Sequence, residues 1–214
     1  MSNYLDLYDY RCRVVALYRA RNQATLAGEE QSAILQHFRE ERDQLFAHHP
    51  QSALDEEQQR SFIGLHYFPY QPALRFETTI DTHVPPTRLD ITMNASETMT
   101  MTTVGQVQFN VENELVTLSI YWLDIYGGGL FLPFRDTTCP HESYGGGRYL
   151  FDTMKGSDFL SVLHADGQTR IVLDFNYAYN PSCAYNSRWV CPLAPPENRL
   201  LVPIRAGEML YASF

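Results

Sequence analysis

The side chains that could do chemistry are concentrated in residues 173–200, whose sequence is LDFNYAYNPSCAYNSRWVCPLAPPENRL. This stretch combines a carboxylate, amides, aromatic rings and thiols with several prolines, a mixture more typical of a binding loop than of a regular strand. At its start, the alternation of a strand places Asp174 and Asn176 on a polar face opposite the core. We therefore expect this face to line a pocket beneath the loop of residues 176–198.

A small molecule in this pocket would meet several kinds of polar group. Asp174 can accept a hydrogen bond from a ligand hydroxyl, while the amides of Asn176 and Asn180 fix its orientation. The predicted ligand-binding residues are Arg148, Asp174, Asn176, Asn180, Tyr185 and Asn198. The alternative is structural, because Asn and Asp side chains in such loops often bond to their own backbone, and Arg148 can pair with Asp174 without a ligand.

An enzymatic role is a second hypothesis for the same residues. A hydrolase or lyase would use Asp174 or Glu197 as a base and Arg148 to stabilise an anion. The sequence has no G-x-S-x-G elbow, HExxH, P-loop or G-x-G-x-x-G motif, so no cofactor is predicted. Whether the protein is an enzyme stays open.

Two cysteines flank the centre of the same stretch. Cys183 and Cys191 have three interpretations: buried thiols, a redox-sensitive pair, or half of a zinc site completed by Cys139 and His141. Their C-x7-C spacing is wider than that of structural zinc sites. We therefore predict buried thiols and no metal site.

Helical patterns occupy the first third of the chain. Apolar positions recur at helical spacing within residues 5–24 and 29–47, and Ser52 followed by Asp55 resembles a capping box before a short third helix. A third hypothesis is that these helices contact another copy or a partner. The proposed apolar face consists of Tyr4, Tyr8, Leu26 and Phe46, and the oligomeric state is left open.

After residue 64 the sequence changes to short strands and turns. The segments QVQFNV and VTLSIYW alternate around a short ENE, which predicts a β-hairpin, and the second segment places Val116, Leu118, Ile120 and Trp122 on one face. Two Tyr-Gly-Gly-Gly repeats indicate either anion-binding backbone near Arg148 or close backbone crossings. The predicted fold class is α+β: an N-terminal helical segment (1–63) followed by an antiparallel β-barrel or sandwich (64–214).

Several blocks occur in an order that resembles a known family. They are GLHYFPY, LFLPFRDTT, YGGGRYL, the stretch 173–200 and ENRLLVPIRAGE. In this order they resemble domain-of-unknown-function family number 1684 of bacteria and archaea, over about residues 64–208. The resemblance implies a fold unit and site residues but no reaction. The Cys-Pro-His at 139–141 and the Phe151 before Asp152 depart from the family pattern.

Composition narrows the classes of partner. With 25 acidic residues against 16 Lys and Arg, the net charge is −9, and this surface repels nucleic acid and anionic membranes. The sequence therefore predicts no nucleic-acid partner and no membrane partner, but it does predict a small-molecule ligand. The sequence contains no apolar run of membrane-spanning length and no secretory signal, so we expect a cytoplasmic protein.

Overall fold

The first part of the chain is helical, as predicted. The computed structural model describes residues 4–93 and 98–211. Its helices are α1 (Tyr4–Leu26), α2 (Gln31–His48) and α3 (Glu56–Arg60). No helix in these ranges combines the length and the apolar character that crossing a membrane requires.

The capping box of α3 lies three residues later than expected. The Asp55 carboxylate accepts from the backbone N–H groups of Glu57 and Gln58, and the Gln58 side chain accepts from the Asp55 N–H. The Ser52 hydroxyl instead donates to the Phe46 carbonyl at 2.8 Å. Asp55 therefore satisfies the free donors that begin the helix.

Two antiparallel sheets follow the helices, which confirms the α+β class and gives a sandwich-like arrangement. The strands of the described ranges are β1 (Arg75–Thr78), β2 (Arg88–Thr92), β3 (Thr98–Val111), β4 (Glu114–Leu123), β5 (Leu130–Phe134), β6 (Arg148–Asp152), β7 (Leu160–Leu163) and β8 (Thr169–Asp174). One sheet has the order β1-β8-β7 and the other β2-β3-β4-β5-β6. The division of the chain into domains at residue 64 stays a prediction.

The predicted hairpin is formed by β3 and β4. Glu112 and Asn113 connect the strands, both with positive φ (49° and 74°), and Val111 pairs with Glu114. A two-residue turn with both φ values positive has the twist that matches an antiparallel pair.

The main core lies between the two sheets. It joins inward side chains of β3 and β4, such as Phe109 and Leu118, to Leu173 of β8 and to Phe175. The predicted buried face of β4 is confirmed for Val116, Leu118 and Ile120, but Trp122 is 41% exposed. Beyond Ile120 the neighbours Tyr121 and Leu123 are buried instead, in a second cluster with β5 and β6.

The helices cover the outer side of the smaller sheet. Val14, Tyr18 and Phe38 pack with Tyr177, which directly follows β8. Of the predicted apolar face, Tyr4, Tyr8 and Leu26 are exposed, but Phe46 is buried against Tyr185. The Phe46 prediction was wrong because the helix turns this ring towards the loop of residues 176–198. Helices and loop therefore share an interface.

Candidate functional site

A buried carboxylate, Glu208, lies at this interface and is 1% exposed. Its Oε1 accepts from Nε of Arg42 at 2.6 Å. Its Oε2 accepts from the backbone N–H of Asn180 at 2.9 Å and from the Tyr185 hydroxyl. One carboxylate therefore fixes the positions of three residues that come from α2 and from the loop.

Arg42 lies on the buried side of α2, in the same stripe as Phe38 and Phe46. Its guanidinium lies between the rings of Phe46 and Tyr179, 4.9 and 5.1 Å from their centroids. Two of its five N–H donors are used, by Glu208 and by the Tyr185 hydroxyl at 3.5 Å. The remaining donors find no partner in the described ranges. Burial alone would lower the pKa of Arg42, but Glu208 outweighs it and raises the pKa above its ordinary value.

These donors border a cavity of about 70 Å³, which we call the Arg42 cavity. Helices α1 and α2 supply one wall, the loop of residues 176–198 a second, and β6 with the residues that follow it a third. Its polar lining consists of Tyr10, Tyr18, Arg42, Tyr149, Lys155, Ser157, Tyr179, Asn180, Ser182 and Tyr185, and its apolar lining of Val14, Phe46, Ala53 and Pro181. Since one water occupies roughly 30 Å³ of the liquid, the space fits about two waters or a ligand of a few heavy atoms.

Two further polar atoms on this cavity are buried without a partner. The Tyr18 hydroxyl lies near Ser157 but has no acceptor or donor at hydrogen-bonding distance within the described ranges, and Oδ1 of Asn180 has none there either. The Asn180 Nδ2 donates to the Met209 carbonyl at 2.8 Å, so the amide orientation is fixed. Burial raises the pKa of Tyr18 to about 12, so its hydroxyl stays a neutral donor at physiological pH. A water, an ion or a ligand can complete the hydrogen bonds of buried polar atoms of this kind.

Asn180 and Tyr185 are the two predicted site residues that the structure brings to the cavity. Arg148 reaches the same region from behind: its Nη1 donates to the carbonyl oxygens of Ala206 and Glu208. Arg148 therefore holds the backbone of the residue that organises the cavity but does not line it.

The rest of the Arg148 head group is also enclosed by protein. It is 0% exposed, and Nη2 donates to the Ile204 carbonyl at 2.7 Å and to Asp136 at 3.1 Å. The neighbouring Gly147 has a φ of +91°, and a Cβ there would stand 2.5 Å from the Phe134 carbonyl oxygen. The second glycine repeat thus permits a close backbone crossing, the structural alternative for this motif.

Asn176 and Asn198 are buried and use their amides to join distant backbone segments. Asn176 accepts from the N–H of Gln71 at 2.8 Å and donates to its carbonyl at 2.9 Å. Asn198 accepts from the N–H of Ser119 and donates to the carbonyls of Ser119 and Pro133. Each amide therefore replaces a step of backbone pairing where no strand is available.

Asp174 lies in a different place from the Arg42 cavity. Its carboxylate accepts from the Asn176 backbone and side chain, and Arg75 Nε is 3.8 Å away. It borders a cleft of about 20 Å³ beneath Arg21 of α1, which is room for about one water. The predicted polar face of β8 is covered by helix α1.

This burial gives a pH prediction for Asp174. Burial raises the pKa of its carboxyl above 3.8, against hydrogen bonds from Asn176 and the charges of Arg21 and Arg75. The folded state therefore binds the proton more tightly than the unfolded chain does. The protonated carboxyl contributes fully to the unfolding free energy below pH 3.8, and this contribution is lost as pH rises through the folded pKa. We expect the unfolding free energy of wild type to fall relative to Asp174→Asn as pH rises from 3.8, measured by urea titration.

The exposed Asp166→Asn variant is the control for that experiment. Asp166 carries its own ion pair with Arg170 at 2.7 Å, but it is exposed. A wild-type curve parallel to that of Asp174→Asn at every pH would contradict the assigned effect of burial.

The three residues proposed for an enzymatic role lie in different environments. Glu197 is exposed, Arg148 pairs with Asp136, and Asp174 has Arg75 beside it. Within residues 4–93 and 98–211, no three His, Cys, Asp or Glu side chains converge as metal ligands. The zinc interpretation of the cysteines has no geometric support in these ranges.

A larger groove of about 740 Å³ lies between α1 and α2. Among its charged groups, Asp9 contacts Arg13 at 2.7 Å and His49 at 3.1 Å. The unpartnered buried groups described above line the Arg42 cavity and not this groove, so we take the smaller space as the candidate site.

Sequence reasoning missed Arg42, Glu208 and Tyr18. Arg42 carried a usable signal, because it occupies an apolar-stripe position of an amphipathic helix, where a charged residue needs a buried partner. Glu208 carried no signal in the sequence, since its partner Arg42 lies 166 residues earlier in the chain.

Comparisons with known proteins agree with the resemblance inferred from the sequence blocks. No match is found among curated proteins. The chain is similar to the solution NMR structure of an uncharacterized protein from Haloarcula marismortui, with 35% identity over 83% of this chain and 93% of that chain and a TM-score of 0.59. A family model described as "Protein of unknown function (DUF1684)" matches residues 60–209, a span that includes Asn180, Tyr185 and Glu208. This chain therefore belongs to the DUF1684 family.

Proposed function

We propose that this protein binds a short carboxylate of two or three carbons in the Arg42 cavity, beneath the loop of residues 176–198. The observation that carries the proposal is a buried guanidinium that bonds to Glu208 and Tyr185 and faces a small cavity, beside a Tyr18 hydroxyl without a partner in the described ranges. Planar guanidinium groups recognise carboxylates through paired N–H donors. The ligand would complete hydrogen bonds that the protein leaves open.

The lining also limits the rest of the ligand. Phe46, Val14 and Pro181 offer apolar contact for one or two carbons, and the volume of about 70 Å³ favours a ligand of a few heavy atoms. Oδ1 of Asn180 has no donor in the part of the chain that the structure describes, and it would accept from a ligand hydroxyl. Hydroxy acids should therefore bind more tightly than the corresponding plain acids, because the plain acid leaves this acceptor unpaired.

A thermal-shift panel tests the proposal. Glycolate and lactate are compared with acetate and propionate, and acetamide serves as the uncharged match for acetate. At about 100 times the dissociation constant we expect the hydroxy acids to raise Tm by about 5–10 °C, and acetamide to have no effect. If no carboxylate raises Tm more than acetamide at equal ionic strength, carboxylate binding is excluded.

Tyr18→Phe gives a site-specific prediction. The change removes a hydroxyl that has no protein partner at bonding distance in the described ranges, so the unfolding free energy should be unchanged or slightly higher. Because the same hydroxyl would donate to the ligand, we expect the affinity for glycolate to fall by about 5- to 20-fold in isothermal titration calorimetry.

Tyr121→Phe is the matched control. Its hydroxyl is also buried without a partner in the described ranges, but it lies in the cluster with Met101 and Phe131. Its variant should bind glycolate as wild type does. Equal affinities of wild type and Tyr18→Phe would remove Tyr18 from the binding site.

A further inference from the structure

We propose that Cys183 and Cys191 form a dithiol that a hydroperoxide oxidises to a disulfide, closing the loop between them. The proposal is independent of carboxylate binding, since it rests on a different pair of side chains. Its starting point is that both cysteines are free thiols and that the backbone N–H of Cys183 lies 3.3 Å from Sγ of Cys191.

The contacts around the two sulfur atoms are specific. The backbone N–H of Cys183 donates to Sγ of Cys191 at 3.3 Å. The Tyr144 hydroxyl donates to Sγ of Cys183 at 3.6 Å. Cys183 is partly exposed, whereas Cys191 is buried. An attacking thiol that solvent reaches is therefore backed by a protected second thiol.

The loop between the cysteines is fixed to the helical part of the chain, which holds the sulfurs together. Asn186 donates to Asp55 at 2.9 Å, and Arg188 donates to the carbonyl of Leu54 at 2.8 Å. Trp189 donates to the carbonyl of Ala53 at 2.8 Å. These contacts fix the loop while its two cysteines lie close together, with the backbone N–H of Cys183 3.3 Å from Sγ of Cys191.

The electrostatics agree with this division of roles. Hydrogen bonds from Cys191 and Tyr144 lower the pKa of Cys183 to about 6, against the opposing effect of burial. The hydrogen bond to Cys183, together with burial, raises the pKa of Cys191. Cys183 is therefore the thiolate nucleophile at neutral pH, and Cys191 stays protonated until it resolves the intermediate.

The chemistry balances with hydrogen peroxide, the simplest hydroperoxide, as oxidant. The Cys183 thiolate attacks one peroxide oxygen, the O–O bond breaks, and the leaving hydroxide takes up a proton as water. Sγ of Cys191 then attacks the sulfenic acid sulfur, the S–S bond forms as the S–O bond breaks, and the thiol proton leaves with the hydroxide as a second water. Two electrons pass from the two thiols to the peroxide.

Tryptic mapping tests the proposal on the full-length protein. Cleavage at Arg170, Arg188 and Arg199 separates Cys183 from Cys191, on peptides 171–188 and 189–199. After one equivalent of hydrogen peroxide and digestion without reductant, we expect the two peptides to be recovered as one linked species. The Cys12→Ser variant, which removes an exposed thiol, should give the same linkage.

Two variants keep the test decisive. In Cys191→Ser, Cys183 should stop at the sulfenic acid and be trapped by dimedone. In Cys183→Ser, peroxide consumption should fall by about tenfold or more. Recovery of two unlinked peptides from wild type, whether as free thiols or with Cys183 over-oxidised to the sulfinic acid, would overturn the proposal.

Discussion

Glu208→Gln is expected to destabilise the fold by about 3–5 kcal/mol, because it leaves the Arg42 guanidinium buried without its counter-charge. The substitution keeps the size of the side chain, but an amide presents only one acceptor oxygen. The carboxylate accepts from Arg42, Asn180 and Tyr185, so at least one of these donors would face an NH2 group. Chemical denaturation with guanidinium chloride measures the change in unfolding free energy.

Glu142→Gln is the matched control for that result. Glu142 makes a two-pronged ion pair with Arg205 at 2.8 and 2.9 Å, but both side chains are exposed. An exposed pair of this kind is screened by solvent and contributes little to stability. If Glu208→Gln cost no more than Glu142→Gln, then Glu208 would not organise the cavity as described.

Arg148→Met has the second large expected effect, again about 3–5 kcal/mol. The change leaves Asp136 buried without its cation, and it removes the donors to the carbonyls of Ile204, Ala206 and Glu208. These carbonyls belong to the segment that presents Glu208 to Arg42. The variant should therefore lose glycolate affinity as well as stability, even though Arg148 does not border the Arg42 cavity.

Arg205, the partner of Glu142 in the exposed ion pair, supplies the control. Arg205→Met should lower the unfolding free energy far less than Arg148→Met does and leave glycolate binding intact. A folded Arg148→Met protein with wild-type stability and affinity would show that the segment around Glu208 is held by other contacts.

The sequence predicted the elements better than the contacts between them. The periodicities of helices and strands depend on neighbouring residues, so α1, α2 and the β3–β4 hairpin were recognisable without a structure. The prediction that Trp122 is buried was wrong, because the buried face of β4 changes beyond Ile120, where a second cluster covers the strand. That change depends on β5 and β6, which lie later in the chain.

For the site, the sequence predicted the loop and two of its contacts. Asn180 and Tyr185 line the cavity beneath residues 176–198, as the convergence of polar and aromatic types indicated. Asn176 and Asn198 have the same residue type as Asn180, yet they bond to backbone 105 and 79 residues away. Side-chain type cannot distinguish these uses, because only the fold decides which backbone groups lack partners.

Intermolecular NOEs from 13C-labelled glycolate are the most direct test of carboxylate binding in the Arg42 cavity. A molecule bound there lies beside the rings of Phe46, Tyr18 and Tyr179, all of which border the cavity. We predict NOEs from the glycolate methylene to these rings in wild type, weakened in Tyr18→Phe. NOEs to exposed residues alone, or none at saturating glycolate, would contradict the account.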